Sequence, residues 1–217
     1  MDSGRFSDFI KQYIPERDSS LEKLRKAAEE NRVPIIREET ESFIKAMITL
    51  IRPARILELG TATGYSAVMM AAAALKEGIG LTVIDTIEDW EPRISEARIN
   101  IKKAGFEGII NPIEGDALQV MKTLTGTYDL IFIDAAKGQY PDYLGEAVRL
   151  TRKGSVILAD NILQGGEIME SKFIVERRDR TIHKRMREFL NRIFHDERFN
   201  TSMIPVGDGL TISVRCV

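Results

Sequence analysis

Cysteine is nearly absent from this chain of 217 residues. The single thiol, Cys216, excludes an internal disulfide and any cysteine-rich zinc site, and such usage fits a reducing cytoplasm. Histidine is scarce as well: His183 and His195 show no ligand spacing, and both read as surface residues. No charge of one sign dominates, because 31 basic residues face 33 acids for a net charge of −2. Composition as a whole therefore predicts no nucleic-acid partner, although it leaves room for a local basic patch. Long apolar runs are missing. The longest, Ala67 to Leu75, is too short to span a bilayer, and the stretch MDSGRFSDFIKQYIPERD has no apolar segment of the signal-peptide kind. A cytoplasmic protein without a membrane partner is expected. No repeat, low-complexity tract or linker divides the sequence, so one α/β domain over residues 1–217 is the expectation.

What is present is a change of rhythm. Leu21, Leu24 and Ala28, then Phe43, Ala46, Met47 and Leu50, recur at helical spacing, with Pro15 and Pro34 as separators. Residues 1–52 thus read as a helical cap. From Pro53 onward, short β-branched runs alternate with helical patterns: ARILELG, LTVID, IINPIEG, YDLIFID and SVILAD are the strands. This βαβ alternation predicts an open, mostly parallel sheet covered on both faces, and near-continuous apolar strands such as LIFI and VILA fit burial on both sides. Thr201 to Val206 and Leu210 to Val217 flank Gly207-Asp208-Gly209 and predict a closing antiparallel hairpin. Trp90 and the Met69-Met70 pair read as packing residues.

Two segments suggest chemistry. IFIDAAKGQY (131–140) and VILADNI (156–162) are apolar runs that end in acid, and Asn161 follows the second acid. As parallel neighbours they would bring Asp134, Asp160 and Asn161 to one sheet edge. Three hard oxygen donors at one point suit Mg²⁺ or another divalent cation. Lys137, one turn beyond Asp134, is in place to act as a base. Taken alone, each acid is more simply a helix cap or strand-end turn residue; the combination favours the site.

A glycine loop, Glu58-Leu59-Gly60-Thr61-Ala62-Thr63-Gly64, follows the first strand and opens a helix. Glycines there permit a tight turn and close approach of backbone to a ligand. The spacing is neither the dinucleotide fingerprint, since Ala62 stands where a second glycine belongs, nor a phosphate-binding GK[ST] loop. An NAD(P)-dependent oxidoreductase is accordingly disfavoured. Asp85, read as the end of the second strand, is placed for ribose hydroxyls. Asp116, after the third strand, is placed for an adenine amino group. A nucleoside cofactor without a pyrophosphate fits, and S-adenosylmethionine is one; its carboxylate suits the helix N-terminus at Gly64 to Ser66.

With these residues in place, the chain resembles the metal-dependent O-methyltransferases of the catechol and caffeoyl-coenzyme A type. ELGTATGYS is similar to that family's first cofactor motif, and the pattern from Asp134 to Lys137 with Asp160-Asn161 is similar to its metal and base motifs. The resemblance implies a Rossmann-like fold: a seven-stranded, mostly parallel sheet with a C-terminal antiparallel hairpin and N-terminal helices over a core of residues 53–217. It also implies cofactor contacts from Ile36, Glu58, Tyr65, Gly115, Ala117 and Asp134, beside Gly60, Gly64, Ser66, Asp85 and Asp116. Asp134, Asp160 and Asn161 would hold the metal, with Lys137 and Asp134 at the chemistry, and a homodimer is common in such families. Two departures stand out: the family usually has Glu where Asp85 is placed, and the segment after it, Thr86-Ile87-Glu88-Asp89-Trp90, also looks atypical.

RVPII (32–36), IFIDAAKGQY, DNIL (160–163) and IPVGDGL (204–210) are also similar to segments of bacterial tRNA 5-hydroxyuridine methyltransferases. The segment from Lys172 to Arg192 is strongly basic and reads as helical. A run of this kind is ordinarily a solvated helix face; beside such a site, Lys172, Arg177, Arg178, Arg180, Lys184 and Arg185 are candidates for phosphates of a tRNA anticodon loop. The acceptor readings are a wobble 5-hydroxyuridine or a catechol-like small molecule, each offering two neighbouring oxygens. A non-catalytic S-adenosylmethionine-binding protein is the alternative from another class.

Overall fold

Five parallel strands supply the scaffold in a computed structural model that describes residues 8–217. The first seven residues of the expected cap lie outside the described residues. The strands are β1 (Arg55–Leu59), β2 (Val83–Glu88), β3 (Ile110–Glu114), β4 (Tyr128–Ile133) and β5 (Thr151–Ala159), followed by β6 (Phe199–Ile204) and β7 (Leu210–Arg215). Their order across one sheet is β3-β2-β1-β4-β5-β7-β6. Only β7 runs antiparallel to its neighbours β5 and β6. The expected sheet and hairpin are therefore present.

Side chains alternate between the two faces of each strand. Ile56, Leu130, Phe132, Val156 and Leu158 face one core. Leu57, Leu59, Ile131, Ile133, Ile157 and Ala159 face the other. Because both faces are covered, the strands could be apolar throughout, which is why their sequence lacks an amphipathic alternation.

The first face carries helices α1 (Ser19–Glu30), α2 (Glu38–Ile51), α3 (Tyr65–Lys76) and α4 (Glu91–Ala104). Local chemistry sets their ends. Asp18 caps α1 through the Ser20 N–H at 2.8 Å, and Gly105 closes α4 with φ 78°. Leu21, Ile44, Ile48, Met69 and Met70 are buried there, so the methionine pair is packing as expected. The opposite face carries α5 (Ala117–Thr123), α6 (Tyr140–Arg149) and α7 (Arg180–Phe194). The basic segment is helical only from Arg180; Lys172, Arg177 and Arg178 precede α7 in irregular chain.

A buried charge cluster fastens the N-terminal helices to the core. The Glu41 carboxylate on α2 accepts hydrogen bonds from Arg17 Nε at 2.9 Å, Arg25 Nη1 at 3.2 Å, Lys45 Nζ at 2.5 Å and the Tyr65 hydroxyl at 2.6 Å. Arg25 also donates through Nη2 to the Ile36 carbonyl at 3.2 Å. One carboxylate thereby joins α1, α2, the segment between them and the first residue of α3.

Candidate active site

After β3 the chain crosses back to lay β4 on the far side of β1. A sheet of this kind places ligands where the strand order reverses, at the carboxyl ends. The strand ends at that point are stitched together. Gly60 N donates to Ile87 O at 3.0 Å, Asp134 N to Leu59 O at 3.0 Å and Gly115 N to Glu88 O at 2.9 Å. Gly60 has φ 96°, and a Cβ there would collide with the Asp134 carbonyl; no side chain fits between the two loops.

A cavity of about 400 Å³ opens over these ends, within the usual range for small-molecule sites. Of the cofactor residues expected from the sequence, Ile36, Gly60, Tyr65, Ser66, Gly115, Asp116, Ala117 and Asp134 line it. Asp116 also caps α5, its Oδ1 accepting from Gln119 N at 2.9 Å. The first turn of α3, at Tyr65 and Ser66, presents the N-terminal end of a helix to the cavity, which suits a carboxylate.

Three expected contacts are not in the lining. Gly64 turns the chain with φ 81° and faces Ala97. Glu58 is fully buried beneath the loop, where Thr86 Oγ1 donates to it at 2.6 Å; burial pushes its carboxyl up to about 7. Asp85 is corrected outright. It lies inside β2, opposite Leu57, and accepts from Asn111 Nδ2 at 2.8 Å and the Tyr128 hydroxyl at 2.7 Å. The strand continues through Thr86 and Ile87, so the acid at its end is Glu88, which lines the cavity. Glu88 accepts from Ala62 N at 2.9 Å and Trp90 N at 3.2 Å. A glutamate, and not Asp85, therefore stands at the end of β2. The signal was there: an acid following the last apolar residue of the run, as in β3, β4 and β5.

Trp90 is a further correction. It is not core packing; it lines the cavity, 56% exposed, with the Arg93 guanidinium 5.1 Å from its ring centre.

Beside the cavity, β4 and β5 end in register at Ile133 and Ala159, so Asp134 and Asp160 emerge side by side. Lys137 Nζ donates to Asp134 Oδ1 at 2.9 Å, Asn161 Oδ1 at 3.0 Å and the Tyr140 hydroxyl at 3.1 Å. Three ammonium protons thus meet three acceptors. The Tyr140 ring packs edge-on against Phe189 at 5.4 Å, and its hydroxyl lies 3.0 Å from Asp160 O. Burial, then the charges of Asp134 and Asp160, raise the Tyr140 hydroxyl well above its usual range, so Lys137 is the better placed base.

Asp160 is 2% exposed. Burial first, then the neighbouring Asp134 charge, pushes its carboxyl up to about 7. Two crowded acids and an amide oxygen form a hard-oxygen donor set whose mutual repulsion a divalent cation would relieve, so these residues fit Mg²⁺. Among the described residues no group of three His, Cys, Asp or Glu side chains is arranged for a metal; this set has two carboxylates and relies on Asn161 for the third oxygen.

The basic segment divides. Arg185 Nε donates to Gly138 O at 2.9 Å and its guanidinium pairs with Asp142 and Glu188, bracing the turn that carries Lys137. Arg180 bonds the Val175 and Phe173 carbonyls at 3.1 and 3.3 Å, and Arg178 pairs with Glu176 and Asp179. Arg185 and Arg180 are thus engaged with the protein, whereas the Arg178 side chain is 78% exposed. Arg177 and Lys184 are exposed and form no ion pair among the described residues. Lys172 lies over the Phe173 ring at 5.1 Å. His183 is buried, 3.1 Å from Glu170 O, contrary to its reading as a surface residue; His195 is exposed as expected.

The comparisons with known proteins agree with this fold. A family model described as O-methyltransferase matches residues 12–216. The catechol O-methyltransferase of Mycobacterium tuberculosis is 34% identical over 145 residues, which span 66% of this chain and 63% of that protein, less than two thirds of its length. The caffeoyl-CoA O-methyltransferase of Citrus natsudaidai is 30% identical over 229 residues, 96% of this chain and 95% of that protein. Among solved structures, the SAH-bound methyltransferase of Podospora anserina superposes with a TM-score of 0.86 at 25% identity, covering 99% of this chain and 95% of that one.

Proposed function

Because the chain belongs to the O-methyltransferase family, we propose that it methylates one of two neighbouring oxygens on an acceptor held beside a divalent cation, and that the acceptor is 5-hydroxyuridine at the wobble position of tRNA. The observation that carries the chemistry is the position of Lys137 Nζ, within hydrogen-bond reach of Asp134 and Asn161, where Asp134 also lines the cofactor cavity. S-adenosylmethionine would supply an electrophilic methyl group, and a cation on Asp134, Asp160 and Asn161 would stabilise the deprotonated form of an acceptor hydroxyl. Lys137, once its ammonium has given one proton to solvent, would take the hydroxyl proton on Nζ. The methyl group would pass from the sulfonium to the acceptor oxygen, the S–CH₃ bond breaking as the O–CH₃ bond forms, with S-adenosylhomocysteine as the other product. Arg185, by bracing Gly138, keeps the Lys137 turn in place; orientation of this kind supplies a large part of such a rate.

Glu88 is assigned to the ribose hydroxyls. The chain has one tryptophan, Trp90, so its fluorescence should change on titration with S-adenosylhomocysteine. Glu88→Gln is expected to weaken that binding about tenfold, the scale of a hydrogen bond to a charged group. Asp85→Asn should leave it near the wild-type value. The opposite pattern would return the ribose contact to Asp85.

The choice of tRNA is supported by the segment that follows Asn161. Phe173 and Ile174 are 76% and 72% exposed, interleaved with Lys172, Arg177 and Lys184. Cations for phosphates and an aromatic face for a splayed base are what a single-stranded loop requires. The names of the relatives favour a second reading, a catechol-type small molecule. Labelled S-adenosylmethionine separates the two: methyl transfer to tRNA lacking the modification, with catechols turned over poorly, is the expected result. Turnover of catechols with the tRNA inert would sink the tRNA reading.

A further inference from the structure

The turn Gly207-Asp208-Gly209 takes no direct part in these steps, yet it is built into the candidate cation site. On leaving β5 after Asp160, the chain passes through four residues with positive φ: Asn161 at 54°, Gln164 at 51°, Gly165 at 65° and Gly166 at 96°. Two of them carry side chains, and left-handed backbone at such residues persists only when the surroundings hold it there. The surroundings in question are the turn. Ile162 N donates to Gly209 O at 3.1 Å and Leu163 N to Asp208 O at 2.9 Å. Gly165 N then donates to the Asp208 carboxylate, 2.8 Å from Oδ1 and 3.1 Å from Oδ2.

The turn is itself tightly seated. Gly209 N donates to Val206 O at 2.9 Å. A Cβ at Gly209 would collide with Leu163, and one at Gly207 with the Thr40 hydroxyl on α2. Arg37 Nη1 reaches Gly207 O at 3.5 Å. The turn is thus wedged between the N-terminal helices and the segment that bears Asn161.

We propose that Asp208 is a positioning residue for the divalent cation: by holding the Gly165 N–H, its carboxylate fixes the strained segment that sets the Asn161 amide oxygen beside Asp134. This rests on the cation reading above. The requirement is for an acceptor atom at one place. Asn at 208 supplies such an atom without the charge, whereas Glu supplies the charge one methylene out of place.

Mn²⁺ binding, followed by electron paramagnetic resonance with S-adenosylhomocysteine saturating, tests this without any turnover. Asp208→Ala should weaken Mn²⁺ about ten- to a hundredfold, the usual effect of losing a group that orients metal ligands. Asp208→Asn should bind Mn²⁺ nearly as wild type does, and Asp208→Glu should be impaired. The Trp90 fluorescence response to S-adenosylhomocysteine should be retained by all three, reporting an intact cofactor pocket. Should the alanine variant fail to fold, the contrast between Asn and Glu still decides. Wild-type Mn²⁺ affinity in Asp208→Glu with loss in Asp208→Asn would overturn the proposal in favour of a purely electrostatic role. Full affinity in Asp208→Ala would overturn it altogether. Absence of Mn²⁺ binding in the wild-type protein would instead remove the cation reading, and this inference with it.

Discussion

Replacing Lys137 by alanine is expected to lower kcat for methyl transfer by a factor on the order of 10²–10⁴, the range lost with a positioned general base. Affinity for S-adenosylhomocysteine should hardly change, because Lys137 is not among the residues lining the cofactor cavity. Lys137→Arg should not rescue the rate. A guanidinium retains the charge, but it does not give up its proton in a protein and its fork would not superimpose on a compact ammonium. Lys137 is only partly buried, 24% exposed at its side chain, so the fold should tolerate the change. Single-turnover measurement with bound cofactor is the direct check. A Lys137→Ala rate close to that of the wild type would transfer the base role to another group.

The second large effect concerns stability. Glu41→Ala removes the one carboxylate shared by Arg17, Arg25, Lys45 and Tyr65. Arg17 and Arg25 are each 9% exposed at their side chains, and Arg25 would lose its closest buried counter-charge. Breaking a buried ion pair from one side costs about 3–5 kcal/mol, which for a chain of this size lowers Tm by roughly 10 °C.

The pH dependence has a definite sign. Burial pushes the Glu41 carboxyl up, but hydrogen bonds from Lys45, Tyr65 and Arg17 more than offset it, and the group is held below its ordinary value of 4.5. Its contribution is therefore complete above that value and fades as the pH falls through the lower, folded-state value. The stability gap between wild type and Glu41→Gln should be widest near neutrality and narrow below about pH 4.5. Urea denaturation at several pH values measures it; a gap that widens in acid would contradict the assignment.

Much of the fold and part of the site were legible in the sequence for a common reason. Where a buried strand ends, apolar residues give way to a polar one at the sheet edge, and Asp134, Asp160 and Asn161 follow that rule. The same rule was stopped too early at Asp85. An acid satisfied by Asn111 from the adjoining β3 and by Tyr128 from β4 looks, in one dimension, like the end of a strand. The Glu41 cluster was not legible, because Arg17, Arg25, Glu41 and Tyr65 meet only after three helices have packed. Neither was the burial of His183, which depends on the Glu170 carbonyl reaching it across an irregular segment. The basic segment is not helical before Arg180, and there the carbonyls of Phe173 and Val175 accept from the Arg180 guanidinium.

The missing side chain at Gly60 has a consequence for how such an enzyme diversifies. Since that residue lies against the Asp134 carbonyl, the glycine loop and Asp134 share one seam between neighbouring strands. The reach of the transfer is then gauged by the spacing of a β-sheet, about 4.8 Å, which loop mutations do not alter. The exposed segment at Phe173 and Ile174 is free to change in sequence while that spacing stays fixed. Substitution at Gly60 would be felt by every acceptor alike, and substitution at Phe173 by one.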